Sequence, residues 1–276
     1  MLDIITEMLS EPVLVRAFVV GILVSLCAAL LGVSLVLKRY SMIGDGLSHV
    51  GFGALAVATV MNLAPMAVAI PVVVIAAFIL LRLSSDGKLK GDAAIALIST
   101  GALAIGVMAV SMSEGMNIDI NSYLFGSIIS VSRSDVWISV VLAAIVLAVF
   151  VFFYTRIFAI TFDESFAKAT GVNAGACNML IALLTALTIV IGMRLMGSML
   201  ISSLIIFPAL SSMRVFRSFR SVTISSAVIS VIAFLAGMTI SYAADAPCGA
   251  SIVCVNLVIF AVFFAAGAFL RRNRAA

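Results

Sequence analysis

The sequence predicts an all-α, polytopic membrane protein with about nine transmembrane helices in a single domain. Composition is the first reason: 64% of the 276 residues are hydrophobic and 10% are charged, whereas soluble domains carry about 25% charged residues. Length is the second, because nine charge-poor stretches approach the roughly 20 apolar residues that cross a bilayer as a helix. The third is the distribution of basic residues between these stretches. Together these observations exclude a water-soluble globule.

The nine predicted spans follow one another with mostly short connections. They lie at residues 17–37, 42–61, 65–83, 92–113, 135–154, 176–193, 195–213, 222–243 and 251–270. The connection Glu114–Ser134 is long enough for a short interfacial or re-entrant helix at about Tyr123–Ile129, a conformation that needs cover from protein or water. Without an internal repeat or a low-complexity segment, residues 1–276 are predicted to form one transmembrane domain.

The basic residues predict the orientation of the chain. If the C-terminal tail is placed inside, all but three of the 16 Lys and Arg residues also lie inside, the exceptions being Arg16, Arg133 and Arg194. Because cytoplasmic loops are enriched in Lys and Arg, we expect the N-terminus outside and the C-terminus inside. A net charge of +4, with so few charged positions, is too little for a nucleic-acid-binding face.

Several motifs of catalysis and ATP binding do not occur. The chain has no G-x-x-x-x-G-K-[ST] sequence, and its loops are too short for a nucleotide-binding fold. It also lacks the hydrolase motifs G-x-S-x-G and H-E-x-x-H. The sequence therefore offers few catalytic residues for a membrane-embedded hydrolase. We therefore expect a transport subunit that is not itself an enzyme and binds no cofactor. Any ATP hydrolysis would belong to a separate chain.

Asp45 and His49 are ionisable residues within the second predicted span, and His49 is the only histidine. Their spacing of four places both side chains on one face of a helix. Ionisable residues inside a span usually mark an ion or substrate path, and oxygen plus nitrogen donors suit Zn²⁺ or Mn²⁺ better than Cu⁺. We therefore predict that both are metal ligands. Zinc normally takes four ligands: two copies of the pair about a two-fold axis would supply them, or a weak transit site would keep some water ligands.

Two alternatives without metal are open for this pair. The two side chains can simply satisfy each other as an ion pair. Alternatively, Asp45 can lie at the cytoplasmic end of the span and cap the helix.

The connection between the fifth and sixth spans is predicted to hold a short cytoplasmic helix at about 161–172. Thr161 and Glu164 have the S/T-x-x-E spacing of a capping box, and Gly171 suits the left-handed residue that ends a helix. On such a helix, Phe162 and Phe166 lie one turn apart on the same face. An aromatic knob of this kind fits a cleft on a soluble motor subunit. The alternative is an amphipathic helix that lies on the bilayer surface.

Five stretches of the chain carry a family resemblance, in this order: Lys38–His49, Asp119–Gly126, Asp163–Gly171, Gly197–Ala209 and Asp245–Gly249. They resemble the integral-membrane permeases of bacterial ABC zinc and manganese uptake systems. The first of them resembles the second-span motif of that family. Five ordered matches are far more specific than any one of them.

The resemblance implies a homodimer in the bacterial plasma (inner) membrane that carries a divalent metal into the cytoplasm, and we expect this metal to be zinc, with manganese as the alternative. It implies that Asp45 and His49 line the translocation path, that an extracytoplasmic metal-binding protein delivers the ion, and that cytoplasmic ABC ATPase subunits supply the energy. The residues expected to dock the ATPase are Phe162, Asp163, Glu164, Phe166, Ala167 and Gly171. The alternatives are a proton-coupled secondary metal transporter without an ATPase, and a membrane scaffold or receptor without transport.

Overall fold

The computed structural model describes residues 10–85, 91–113, 126 and 133–275, and all regular secondary structure within these ranges is α-helical. The helices are α1 (Pro12–Leu37), α2 (Ser41–Val60), α3 (Pro65–Ser85), α4 (Gly91–Met112), α5 (Arg133–Phe152), α6 (Tyr154–Phe162), α7 (Glu164–Ala169), α8 (Ala174–Met196), α9 (Ser198–Val215), α10 (Phe219–Ala244) and α11 (Cys248–Ala275).

The prediction of a polytopic all-α membrane protein is confirmed. In the described ranges, eight helices are long and apolar enough to cross a membrane, and the bent pair α5–α6 counts as a ninth span if taken together. The axes of α5 and α6 differ by 72°. The helix predicted at Tyr123–Ile129 lies outside the described residues. The orientation of the termini stays a prediction.

Helix α1 lies at the centre of the bundle, and its main neighbours are α9, α10, α5 and α8. In α1, 72% of the apolar, membrane-length stretch is buried inside the protein. In α11, at the periphery, the buried share is 17%. Close packing at the centre depends on Gly32, because a Cβ atom there would overlap the backbone oxygen of Ile205 on α9. Small residues allow membrane helices to approach this closely.

Helix α2 is packed mainly against α4, α3 and α9. Its approach to α4 also requires glycine, since a Cβ atom at Gly53 would overlap the backbone oxygen of Ala102. On the side of α9, the hydroxyl groups of Ser48 and Ser202 lie 3.4 Å apart. These contacts hold the helix that contains both predicted metal ligands.

A tight connection joins α1 to α2. The amide of Tyr40 donates to the carbonyl of Leu35 at 2.8 Å, and the amide of Arg39 donates to Val36 at 3.1 Å. This pair of bonds forms a Schellman motif, with Arg39 in the left-handed region at φ 63°. The chain therefore leaves α1 through a tight turn over residues 38–40, and Lys38 precedes the first residue of α2 by three positions.

Candidate functional site

The structure brings Asp45 and His49 together on the second and third turns of α2. The Oδ2 atom of Asp45 lies 3.6 Å from Nε2 of His49, and the side chains are 40% and 23% exposed, respectively. Both therefore lie next to space outside the protomer core, although neighbouring Leu47 and Ser48 are fully buried. The prediction that spacing alone would bring the two donors together is confirmed.

The capping alternative for Asp45 is wrong. The N-cap residue of α2 is Tyr40, and the first turn holds no acidic residue. Asp45 begins about 6 Å further along the helix than Ser41, at 1.5 Å per residue. Its side chain is thus not needed to satisfy the free backbone amides at the helix terminus.

The contact between Asp45 and His49 is an electrostatic one when the imidazole is protonated, but it is too long to be a hydrogen bond. Within the part of the chain that the structure describes, the buried Nδ1 atom of His49 has no hydrogen-bond partner. Most buried polar side-chain atoms have such a partner. The carboxylate oxygen and the Nε2 nitrogen, 3.6 Å apart, are close enough to bind one metal ion together.

Backbone and hydroxyl contacts fix the helix around these donors. The Ser48 hydroxyl donates to the carbonyl of Asp45 at 2.7 Å, and the Ser202 hydroxyl donates to the carbonyl of Ser198 at 3.1 Å. Among the described residues, no group of three or more His, Cys, Asp or Glu side chains is arranged to hold a metal ion. Asp45 and His49 alone therefore offer two donor side chains, whereas an ordinary zinc site has four ligands.

The predicted docking helix is divided into two helices. Helix α6 ends at Phe162 and α7 begins at Glu164, with Asp163 between them in an extended conformation at φ −146°. We define residues 161–172 as the docking segment. Within this segment, the N-cap residue of α7 is Asp163, whose Oδ1 accepts a hydrogen bond from the backbone amide of Phe166 at 2.9 Å.

The prediction that Thr161 and Glu164 form a capping box is therefore wrong. Thr161 lies inside α6, and its hydroxyl donates to the carbonyl of Ile157 at 2.6 Å, so it is not free to cap a later helix. Asp is among the best N-cap residues and ranks above Thr. The chain uses Asp163 as the N-cap, and the helix that follows is only six residues long, Glu164–Ala169.

Phe162 and Phe166 lie on different helices, so the prediction of one shared helical face is also wrong. The Phe162 ring packs against Phe158 and Phe219, at centroid distances of 4.9 and 6.0 Å. Even so, Phe162 remains 58% exposed and Phe166 61% exposed. The segment thus exposes two aromatic side chains, as expected, but they lie on two helices separated by Asp163 and not on one continuous helix.

Gly171 ends α7 as predicted, in the left-handed region at φ 84°. The amides of Gly171 and Val172 donate to the carbonyls of Lys168 and Ala167 at 3.1 and 2.9 Å, which is again a Schellman motif. Ala167 is fully buried. It therefore packs the segment against the bundle, and its place among the docking residues stays a prediction.

Glu164 forms polar contacts that sequence analysis did not identify. Its carboxylate lies 2.9 Å from Nζ of Lys168 and 3.3 Å from Nζ of Lys38, and it accepts a hydrogen bond of 3.1 Å from the Asn178 amide. The hydrogen bond from Lys168, with those from Asn178 and Lys38, outweighs the effect of partial burial and lowers the pKa of Glu164 to about 2. The carboxylate is therefore charged at physiological pH.

A bundle of apolar helices long enough to span a membrane, a pair of ionisable residues inside one of them and an exposed aromatic segment between two of them are together typical of a transporter membrane subunit. Residues 10–267 match the model of the ABC 3 transport family. The chain belongs to that family and is a multi-pass plasma-membrane protein.

Relatives that are membrane proteins of metal transport systems match along most of their length. The manganese transport system membrane protein MntC of Halalkalibacterium halodurans is 28% identical over 94% of this chain and 88% of that protein. The high-affinity zinc uptake system membrane protein ZnuB of Haemophilus influenzae is 27% identical over 90% and 95%. A solved structure of PsaBC from Streptococcus pneumoniae in complex with Fab superposes with a TM-score of 0.84 at 27% identity, covering 95% of this chain and 94% of that chain.

Proposed function

We propose that this chain is the permease subunit of an ATP-binding-cassette importer that moves zinc, in preference to manganese, into the cytoplasm. The observation that carries the proposal is the pair Asp45 and His49 within a membrane helix, with Nδ1 of His49 unpartnered among the described residues. Membership of the ABC 3 transport family favours an ATP-driven mechanism over a proton-coupled one. The imidazole nitrogen of His49 favours zinc, whereas manganese prefers oxygen ligands. Among the relatives, one is named for manganese transport and another for zinc uptake.

A second copy of the chain would complete the metal site. One protomer offers a carboxylate and an imidazole, whereas zinc normally takes four ligands. Two protomers related by a two-fold axis would offer two Asp45 carboxylates and two His49 imidazoles. The partial exposure of both side chains in the single chain supports this arrangement, because a partner or a water-filled path must lie beside them.

The docking segment would receive a cytoplasmic ABC ATPase. Its exposed aromatic rings, Phe162 and Phe166, favour contact with a protein, because aromatic residues are enriched at the centre of such interfaces. The acidic start of α7, at Asp163 and Glu164, is anchored by the cap and ion pairs described above. On the opposite side of the membrane, an extracytoplasmic metal-binding protein would deliver the ion.

Metal flux in liposomes tests this function. We expect vesicles that contain this chain, a co-expressed ATPase and the delivery protein to accumulate zinc only when ATP is supplied, and manganese more slowly. We further expect Asp45→Asn to lose this flux, because an amide is a neutral and much weaker ligand. Radioactive zinc and manganese give the two rates directly.

Asp92→Asn is the matched control, since Asp92 is an exposed carboxylate in the first turn of α4 and should leave flux unchanged. Flux that ignores ATP and follows a pH gradient would instead identify a proton-coupled transporter. Manganese uptake faster than zinc uptake would overturn the metal preference alone.

Loss of the Asp163 cap should weaken binding of the ATPase. Replacing a capping residue with alanine costs about 1 kcal/mol of helix stability, which corresponds to about fivefold weaker association if docking requires the intact helix. Asp163→Asn keeps a capping oxygen and should bind nearly as well as wild type. Titration of the purified ATPase onto each variant measures both affinities, and equal affinity for Asp163→Ala would show that α7 is not the docking element.

A further inference from the structure

Lys38 joins the docking segment to the start of α2 through a small polar cluster. Its Nζ atom lies 3.3 Å from Oε2 of Glu164 and donates to Oδ1 of Asn178 at 2.5 Å. Asn178 in turn donates through its side-chain amide to the same Glu164 oxygen at 3.1 Å. The three groups close a triangle between the α1–α2 connection, α7 and α8.

The Lys38 side chain is 10% exposed and lines a cavity of about 20 Å³ with Tyr40, Ile43 and Asn178. This volume holds little more than one water molecule. Burial lowers the pKa of Lys38 and outweighs the opposite effect of Glu164. A buried cation with so little water depends on its protein partners, so separating it from Glu164 and Asn178 is strongly unfavourable.

The short connection after Lys38 makes it suited to transmit movement. Only Arg39 and Tyr40 separate Lys38 from the first residue of α2, and both are held by the backbone hydrogen bonds of the Schellman motif. Helix α7 itself packs against α6 and α8. A displacement of α7 that keeps the Glu164 contact must therefore pull on the rigid turn that precedes Asp45 and His49.

We infer that Lys38 is a positioning residue through which movement of the docking segment is coupled to the metal-binding part of α2. This inference rests on the proposed function. In this role Lys38 acts through its contacts with Glu164 and Asn178, not by binding the ion or the ATPase itself. It acts by keeping the start of α2 attached to Glu164 while the ATPase shifts α7, so that hydrolysis and rearrangement of the metal site occur together.

The ratio of metal transported to ATP hydrolysed tests this role. We expect Lys38→Gln in the reconstituted complex to lower that ratio about tenfold, a usual size for loss of coupling between two sites. ATPase association and ATP hydrolysis should stay near wild type, because the docking surface is unchanged. Lys38→Arg, which keeps a cation of similar length, should recover much of the ratio.

Arg39→Gln is the matched control: it removes a positive charge from the neighbouring, exposed position with the same substitution. A normal ratio in Lys38→Gln would overturn the inference, and so would an equal loss in Arg39→Gln, which would point to membrane-surface charge. If Lys38→Gln does not assemble, Lys38→Met, which keeps a side chain of similar length without a charge and leaves Glu164 paired with Lys168, is judged by the same ratio. Absence of ATP-dependent flux in wild type would instead refute the proposed function.

Discussion

Replacing His49 with alanine is expected to abolish metal uptake while leaving the chain folded in the membrane. The substitution removes the one imidazole of the sequence and leaves Asp45 as the sole donor of the pair. No hydrogen bond from the His49 side chain to the described residues is lost, because Nδ1 has no partner there and the Asp45 contact is 3.6 Å. The effect should therefore fall on metal binding and far less on stability.

Zinc uptake in liposomes and zinc affinity of the purified chain measure the His49→Ala effect, and thermal unfolding in detergent verifies the fold. An exchanged pair, Asp45→His with His49→Asp, keeps both donor types four residues apart. We expect this exchange to bind zinc more tightly than His49→Ala does. Wild-type uptake by a well-folded His49→Ala protein would show that transport does not require the His49 imidazole.

Gly53→Ala should produce the second large effect, by separating α2 from α4. A Cβ atom at Gly53 would overlap the backbone oxygen of Ala102, and a backbone atom cannot move aside as the end of a side chain can. Overpacking of this kind costs about 1–3 kcal/mol, with roughly 2–4 °C of Tm per kcal/mol for a chain near this size. Because Gly53 lies one turn beyond His49, uptake should fall along with Tm.

Gly101→Ala provides the matched control for this substitution. Gly101 lies on the facing helix α4, one residue before Ala102, and nothing lies within 4 Å of a Cβ atom placed there. Alanine is also a better helix former than glycine by about 1 kcal/mol. Thermal unfolding of the two variants in the same detergent should thus show a loss only for Gly53→Ala, and equal Tm values would mean that α2 and α4 tolerate wider spacing.

The membrane-spanning helices could be predicted from the sequence because charge-poor stretches of about 20 residues have few other structural uses. The span predicted at 42–61, for example, is helix Ser41–Val60, and that at 65–83 is helix Pro65–Ser85. Proximity of Asp45 and His49 could also be predicted, since it depends only on helical periodicity. The bend after Phe152 could not, because the apolar pattern continues through it.

Errors arose where two local solutions compete or where distant residues meet. Thr161 and Asp163 are both plausible caps, and the choice between them depends on the Thr161 hydroxyl being satisfied within α6. The contact of Lys38 with Glu164 spans 126 positions in the sequence, which no periodicity reveals. The sequence shows Lys38 at the end of one span and Glu164 near the start of a loop helix, but no local pattern indicates that the two residues are in contact.

The packing of Gly32 against Ile205 also has a consequence for biosynthesis. The two residues meet at the centre of the bundle, yet Ile205 is translated about 170 residues after Gly32. At about 5–20 residues per second, this interval lasts roughly 10–35 s. Throughout it, the face of α1 at Gly32 must be sheltered by lipid, the insertion machinery or provisional helix contacts. The central packing of α1 can therefore be completed only after α9 has been synthesised. If translation stops earlier, α1 lacks this partner helix and can be recognised by membrane quality control.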